Sequence, residues 1–427
     1  MAVSRESRKP GPALRGSRGS RQNQAAVSRP VRISAVAGVV ALVFGADSAA
    51  AVAIPWDKGG ATPPSRTPGP EKPDPRCTES YADDEPRRGA RIRFGIGPRP
   101  AGEGGTGQTG AIVPEMPGQR DRKLRRLKGP GFFAVRLNRL FMSEGRAGIR
   151  KFKRLARHFA SRGLEVELQV RYHPAPEDEG DIGKWLRFVR RVVREFGPNE
   201  RVTGLQITNE VNIGFSPNTS DGAYDRAVEA LVEGVIAAKR ESRRRGFRHQ
   251  EIGFNYAWRF DFIDPASDTG FWDSVGRTGG TRLRRHTDWV GLDAYPGTFV
   301  PGVLVPATIV DFGDAFLEGI AQTRECFMPR AGFTKAVPLR IEETGYATGP
   351  GRPEQDQAAA ARDLVKAAHR YRGTYNITDF RWFNLRDNNS GGPSFQQHFG
   401  LLRDDYSPKP AFGVYRKLVA RLGARTR

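Results

Sequence analysis

The chain has 427 residues, of which 38% are hydrophobic and 10% aromatic, enough for one large domain or two ordinary ones with a sizeable core. Its formal net charge is +22, but residues 1–32 contribute +7, so +15 belongs to the remaining chain. There the basic residues follow helix spacing, as in "RRVVREF" and "KRESRRRGF". This favours solvated helix faces and argues against a nucleic-acid-binding protein, while an attraction for an acidic partner stays open.

The chain contains two cysteines and six histidines, and these counts limit the disulfide bonds and metal sites that it can form. Cys77 and Cys326 are too few for a disulfide framework. They form one bridge or none, and an exported protein would permit the bridge. The histidines match neither HExxH nor Cys/His ligand spacing, so we expect no metal site. The run "GEGGTGQTG" has Gln108 where a phosphate-binding loop has lysine, and we expect no cofactor.

The N-terminal part of the chain has an arginine-rich segment, and an apolar run at residues 33–46 follows it. Small residues follow and offer Ala-x-Ala cleavage positions, so residues 1–53 are predicted to be a secretory signal peptide of a secreted or extracytoplasmic protein. The alternative is an N-terminal membrane anchor, which the run disfavours because it is shorter than the ~20 residues of a span. Residues 54–90 are rich in proline and charge without apolar periodicity, which predicts a disordered linker.

From residue 91 to residue 427, β-rich runs alternate with amphipathic helical patterns. The predicted strands are 91–97, 131–140, 164–173, 202–210, 251–258, 288–295, 338–345 and 379–385. Apolar residues three and four apart predict helices at 147–163, 180–197, 223–246 and 354–373. Alternation implies parallel strands with helices outside. Eight repeats favour a closed (β/α)₈ TIM barrel of the α/β class over an open doubly wound sheet.

Two predicted strands end in carboxylates. "LQITNEVNIGF" places Glu210 at the end of the fourth strand, and "LRIEETGYATG" places Glu343 at the end of the seventh. In a barrel, the residues at the C-terminal ends of the strands surround one opening. Strands three steps apart in the ring face each other across this opening. We therefore expect these carboxyl groups to meet. Two carboxyl groups that meet at a strand-end opening indicate a shared site.

These motifs resemble clan A of the retaining glycoside hydrolases, in which Asn-Glu closes strand four and Glu-x-Gly closes strand seven. The resemblance covers roughly residues 91–421 and includes the closing segment "HFGLLRDDYSPKPAFGVYRKL". It implies that Glu210 is the general acid/base and Glu343 the nucleophile of β-glycosidic bond hydrolysis through a glycosyl-enzyme intermediate. Glu342 is the alternative nucleophile, because adjacent strand residues point to opposite faces and only one acid should face the site. Val211 departs from the clan, which frequently has proline there.

The resemblance also implies three neighbours of the catalytic pair. Arg136 on the second strand would bond the nucleophile and keep it ionised. Tyr295, at the end of the sixth strand, would contact the nucleophile, with a buried structural tyrosine as the alternative. Trp382 on the eighth strand would form the apolar platform under the sugar at the cleavage point, because sugar C–H faces stack on aromatic rings.

Four more residues are candidate substrate contacts because of their positions. Asn138 shares a strand face with Arg136, and Asn209 offers an amide to a sugar hydroxyl beside the reacting centre. His173 ends the third strand, where packing or hydrogen bonding within the protein is the alternative. Trp258, after the fifth strand, lines a neighbouring subsite or packs in the core.

The sequence therefore predicts a monomeric glycosidase whose partner is a carbohydrate, with an acidic glycan as one option. We expect no nucleic acid, and a membrane contact only if the N-terminal segment is not cleaved. Two alternatives remain: a carbohydrate-binding barrel that has lost turnover, and a basic protein that associates with an anionic cell-surface polymer.

Overall fold

The structure is a computed structural model that describes residues 84–100, 112–214, 216–258, 267–299 and 311–425. The predicted signal peptide or anchor, the linker up to residue 83, Cys77 and Gln108 lie outside the described residues. Cys326 is fully buried and is disulfide-bonded. Within the described ranges, none of the helices combines the length and the apolar character needed to cross a lipid bilayer.

Eight parallel strands form a closed barrel in which each strand pairs with its neighbours in chain order and β8 pairs with β1. The strands are β1 Arg93–Ile96, β2 Ala134–Phe141, β3 Glu165–Arg171, β4 Val202–Ile207, β5 Glu251–Ala257, β6 Trp289–Asp293, β7 Leu339–Thr344 and β8 Ile377–Trp382. Each of the eight predicted runs overlaps one of these strands. The predicted (β/α)₈ barrel is therefore confirmed.

One long helix follows each strand and packs outside the barrel. The helices are α1 Pro117–Lys128, α2 Gly145–Ala160, α3 Ile182–Phe196, α4 Ala227–Arg245, α5 Ser267–Arg284, α6 Phe312–Gln322, α7 Glu354–Arg370 and α8 Pro410–Leu422. A π-helical turn, Thr323–Phe327, and a short helical turn, Met328–Arg330, continue α6. The four helices predicted from apolar spacing are α2, α3, α4 and α7.

Helix α3 illustrates how the sequence builds this outer layer. Its N-cap residue Asp181 accepts a hydrogen bond from the backbone N–H of Lys184 at 2.7 Å, which satisfies one of the free donors of the first turn. Trp185 and Val189 are fully buried against the barrel, whereas Arg190 is exposed. The basic residues of this helix thus occupy the solvated face that their spacing predicts.

Ion pairs fill the lower part of the barrel interior, where barrels usually hold layers of branched aliphatic residues. Asp379 of β8 is fully buried and accepts hydrogen bonds from Arg93 and Arg381, each at 2.7 Å, while Arg340 Nε lies 3.2 Å away. Burial alone would raise the pKa of Asp379, but the charges of Arg340, Arg93 and Arg381 hold it well below its usual range. Glu167 of β3 extends the network, 3.2 Å from Arg381.

Residues 84–90, at the end of the predicted linker, have no helix or strand and lie against the turn before β8. The backbone N–H of Arg87 donates to Thr374 Oγ1 at 2.9 Å, and Gly373 donates to the carbonyl of Arg87 at 3.0 Å. Tyr375 donates its hydroxyl to Asp84. These bonds attach the segment to the N-terminal end of the barrel.

We expect Asp379→Ala to lower the free energy of unfolding by about 3–5 kcal/mol, because removing one member of a buried ionic network leaves three arginines with only Glu167 and Glu251 to balance their charges. Denaturant unfolding followed by circular dichroism measures the loss. Glu200→Ala, at an exposed acid before β4, is the matched control and should change stability by less than about 0.5 kcal/mol. A similar small loss for both variants would contradict the role given to the network.

Candidate active site

The two predicted catalytic acids meet at the C-terminal end of the barrel. Glu343 lies near the end of β7 and is 7% exposed, and Glu210 follows β4 by three residues and is partly buried. Carboxylate oxygens of Glu210, Glu343 and Asp293, the last residue of β6, all lie within 4.8 Å of one another. The structure therefore brings together acids that are far apart in the sequence.

A β-bulge in β7 orients Glu343. Against β6, Ile341 pairs with Leu292 and Glu343 pairs with Asp293, so β7 holds one extra residue. Such a bulge interrupts the alternation of faces and re-aims a side chain. Glu342 consequently also faces the barrel interior, where its Oε2 lies 3.5 Å from Arg136 Nε. The expectation that the two adjacent acids point to opposite faces is wrong for this reason.

The backbone before Glu210 is held in an unusual conformation. Thr208 and Glu210 have φ angles of +63° and +45°, in the left-handed region that side chains other than glycine rarely adopt. The backbone N–H of Asn209 donates to Asp221 at 3.0 Å and that of Glu210 donates to Asn255 at 3.1 Å. These buried side chains stabilise the strained turn, which points Glu210 into the barrel opening.

Two donors hold the Glu343 carboxylate. Arg136 Nη1 donates to Glu343 Oε1 at 2.5 Å, and the Tyr295 hydroxyl donates to Oε2 at 2.7 Å. Both contacts agree with the sequence prediction. The charge of Glu343, after the opposing effect of burial, raises the pKa of Arg136 above its usual range, so the arginine is always charged. The guanidinium and the phenol each donate to a different oxygen of Glu343, so together they fix the position of its carboxyl group.

Glu210 holds a proton at neutral pH. Burial and then the negative charge of Glu343 raise the pKa of Glu210 to about 8. The Asn209 side-chain amide donates to Glu210 Oε2 at 3.2 Å and so orients the carboxyl group. At neutral pH Glu210 therefore keeps a proton that it can donate as an acid, next to the carboxyl group of Glu343.

Asp293 is a third carboxyl that the sequence reasoning missed. It is 1% exposed and accepts a hydrogen bond from the side chain of Asn255. Burial, followed by the charges of Glu343 and Glu210, raises its pKa well above the usual range. Three carboxylates can also bind a divalent cation, but the Arg136 guanidinium on Glu343 opposes a cation, and the raised pKa values favour protons instead. The motif "GLDAYPG" contained the signal, because Asp293 shares a strand face with Tyr295.

Amide side chains form a support beneath the two acids. Asn209 Oδ1 accepts hydrogen bonds from Gln169, Gln206 and Asn255 at 2.7, 3.1 and 2.9 Å. Its Nδ2 donates to the Thr219 carbonyl at 2.8 Å and to Glu210. Because both N–H groups are used within the protein, Asn209 positions Glu210, which differs from the predicted contact with a sugar hydroxyl. The supporting amides were detectable as polar residues inside otherwise apolar strands.

Two further predicted residues lie around the opening. Asn138 is partly buried and accepts a hydrogen bond from Arg136 at 2.9 Å. His173 packs on Phe141 with ring centroids 4.5 Å apart, and its Nδ1 lies 3.0 Å from the Tyr224 hydroxyl. Burial and then the charge of Arg171 lower the pKa of His173. This placement matches the alternative of hydrogen bonding within the protein.

The two predicted tryptophans do not line the opening. Trp382 is fully buried and packs against Tyr415 with ring centroids 5.9 Å apart, so its predicted role as the sugar platform is contradicted. Trp258 is 2% exposed and donates to Gln322 at 2.7 Å, which places it in the core. Partly buried rings beside the site are Phe383 and Phe299, with centroids 6.0 and 5.3 Å from that of Tyr295.

Comparison with known proteins extends this description. No protein-family model matches the sequence, and no curated protein matches it. Among solved structures, a family 5 subfamily 18 glycoside hydrolase from Streptomyces cattleya, in complex with N-acetylglucosamine, is 16% identical, with 80% of this chain and 83% of that chain covered and a TM-score of 0.55. The family 1 β-glucosidase of Thermotoga maritima is 14% identical, covers 78% and 98%, and has a TM-score of 0.55.

A family 5 subfamily 18 hydrolase from Bifidobacterium longum subsp. longum is similar to the same degree, with 16% identity, 79% and 81% coverage and a TM-score of 0.54. At these identities the likeness concerns the fold. The chain thus has the barrel fold of glycoside hydrolases, the class that its strand-end motifs resemble.

Glu210→Gln should stabilise the protein, and increasingly so as the pH rises. The folded state keeps the Glu210 proton up to about pH 8, whereas an unperturbed glutamate releases it near 4.5. The folded state thus binds more protons between these values, and its stability falls with rising pH. Glutamine keeps the shape without titrating. We expect a melting temperature at least about 2 °C above wild type at pH 8 and a smaller difference at pH 5.

Differential scanning calorimetry between pH 5 and 8 measures this difference. Glu200→Gln is the matched control at an exposed glutamate and should follow the wild-type curve at each pH. A stability difference between Glu210→Gln and wild type that does not change with pH would contradict a raised pKa at Glu210.

Proposed function

We propose that the protein hydrolyses β-glycosidic bonds of an oligo- or polysaccharide with retention of anomeric configuration. Glu343 is the nucleophile and Glu210 the general acid/base. The observation that carries the proposal is the approach of their carboxylate oxygens to within 4.8 Å. An inverting pair stands about 6.5–9.5 Å apart to admit a water molecule, whereas a retaining pair stands about 5–5.5 Å apart.

In the first step the Glu343 carboxylate attacks the anomeric carbon while Glu210 transfers its proton to the departing glycosidic oxygen. The C–O bond to the leaving sugar breaks as the bond to Glu343 forms, leaving a glycosyl ester and an ionised Glu210. Tyr295 and Arg136, which bond Glu343 at 2.7 and 2.5 Å, aim its oxygens. Phe383 takes the apolar platform role first assigned to Trp382.

In the second step Glu210 accepts a proton from water, and the water oxygen displaces Glu343 from the anomeric carbon. Formation of the ester removes the negative charge of Glu343, the second largest cause of the raised pKa of Glu210. The pKa of Glu210 therefore falls when a base is needed and rises again when Glu343 is released. The same charge that keeps Glu210 protonated for the first step is absent for the second.

Structural neighbours supply a first panel of substrates. A variant of the Bifidobacterium longum enzyme was crystallised with mannosyl-β-1,4-N-acetylglucosamine, and the Streptomyces cattleya enzyme with N-acetylglucosamine. A screen of aryl β-glycosides should therefore include β-mannosides and N-acetylglucosaminides beside glucosides and galactosides.

Glu343→Ala should lower kcat/KM on the best aryl β-glycoside by more than about a thousandfold, because no covalent intermediate can form. Azide enters the vacated space, so it should restore turnover and give a glycosyl azide of inverted configuration, identified by NMR. Glu342→Ala is the matched control, since it removes the neighbouring acid. Rescue of Glu342→Ala instead of Glu343→Ala would overturn the assignment, and a folded wild type without turnover on any glycoside would favour the carbohydrate-binding alternative.

The pH profile provides a second test. Because Glu210 must be protonated to act as the acid, kcat/KM should fall about tenfold per pH unit above about pH 8, the pKa of this carboxyl group. A dinitrophenyl glycoside is the control, since its leaving group departs without protonation and its decline should be smaller. Identical basic limbs for both substrates would exclude Glu210 as the acid for the leaving group.

A further inference from the structure

A cationic cavity lies beside the catalytic pair. It is lined by Arg99, Arg136, Arg139, Lys151 and Glu144, among others. The Arg139 side chain takes part in no ion pair or hydrogen bond among the described residues, and its Nη1 is shielded from solvent. Arg139 is partly buried, and the buried arginines of the strands, such as Arg136, Arg171 and Arg381, instead have acidic partners. We propose that this cavity, through Arg139, binds an anionic substituent of the sugar chain, a carboxylate or a sulfate or phosphate ester. The inference rests on the proposed glycosidase function.

The backbone of β2 is built to present Arg139. Leu137 pairs with Leu168 of β3 and Leu140 pairs with Val170, so β2 contains an extra residue between them. Arg139 has a φ angle of +72°, an unfavourable conformation for an arginine. Its backbone N–H donates to Gln169 Oε1 at 3.0 Å, and Gln169 also supports Asn209. The bulge thus places the backbone of Arg139 against Gln169, one of the amides that lie beneath Glu210 and Glu343.

The surrounding charges leave Arg139 in need of an anion. Arg171 repels it and is itself paired with Asp221 at 2.7 Å, and Arg136 is paired with Glu343. Burial and then the charge of Arg171 lower the pKa of Arg139 to about 10, so it remains positive at neutral pH. A shielded charge without a partner is costly to stability. A ligand that supplies the missing negative charge would recover this cost.

The size of the cavity indicates what enters it. Its volume is about 40 Å³, room for a few water molecules and too little for a sugar ring. The acidic residue in its lining, Glu144, lies 3.7 Å from Lys151 and is not within ion-pair distance of Arg139. The cavity therefore suits a charged group that projects from a sugar held at Glu210 and Glu343.

Matched aryl β-glycosides test the inference: glucuronide against glucoside, 6-sulfo-N-acetylglucosaminide against N-acetylglucosaminide, and 6-phosphoglucoside against glucoside. We expect the wild type to favour the anionic member of at least one pair in kcat/KM. Arg139→Gln should reduce that preference by about tenfold to a hundredfold, the effect of one hydrogen bond to a charged group. The pair that responds identifies the carboxylate, sulfate or phosphate. Arg150→Gln, at an exposed arginine of α2, should keep the wild-type preference.

Thermal unfolding separates binding from a structural role. Arg139→Gln should melt no lower than wild type, because it removes an unpaired charge, whereas a lower melting temperature would mean that Arg139 is a structural residue. Free glucuronate, N-acetylglucosamine 6-sulfate or glucose 6-phosphate should raise the melting temperature of the wild type and not of Arg139→Gln.

This anion-dependent stabilisation without turnover would defeat the glycosidase proposal and keep the anion site. Turnover with no anionic preference, or with a preference that Arg139→Gln retains, would overturn the anion site and keep the glycosidase.

Discussion

The Arg136 guanidinium connects the ionic interior of the barrel to the catalytic carboxylate. Its Nη1 and Nη2 donate to Glu343 and Gln206, each at 2.5 Å, and its Nε lies 3.4 Å from Glu167. The side chain is 2% exposed, and a buried cation is tolerated only where anions and hydrogen-bond acceptors surround it. The lower network therefore does more than fill the barrel, because it holds in place the cation that donates a hydrogen bond to Glu343.

Several acidic side chains crowd around Arg136, and the pKa values of Glu342, Asp293 and Glu210 are raised. Glu342 contacts the same guanidinium from below, and burial followed by the charge of Glu167 raises the pKa of Glu342 well above its usual range. Asp293 and Glu210 behave similarly above it. The pKa of Glu167 is instead lowered, because the charge of Arg381 and a hydrogen bond with Glu342 outweigh the effect of burial. The raised pKa of Glu210 is thus a consequence of its burial and of the charge of the neighbouring Glu343.

The sequence predicted the fold and the meeting of the acids better than the details of the site. Periodicity identifies strands and helices, and parallel order then brings Glu210 and Glu343 to one end of the barrel. Face assignments failed in β7 and β8, where the strand pairing contains an extra residue. The β7 bulge turned Glu342 inward, and between β7 and β8 the same irregularity separates the pairs Ile341–Phe380 and Thr344–Trp382. A period of two cannot reveal an inserted residue, so Trp382 was placed at the opening that Phe383 borders.

Arginine shows why net charge alone predicted so little about ligands. Besides buried arginines that bond backbone carbonyls, such as Arg324, the chain places arginine in three physical situations: exposed helix faces such as that of α3, neutralised ion pairs inside the barrel, and the partly shielded position of Arg139. Exposed charges are screened by salt, and paired ones are already compensated, so neither group selects a partner. Only a cation that is both shielded and unpaired retains a strong preference for an anion. The excess of +15 in the body therefore carries less information about the substrate than the β2 bulge that turns one arginine toward the catalytic acids.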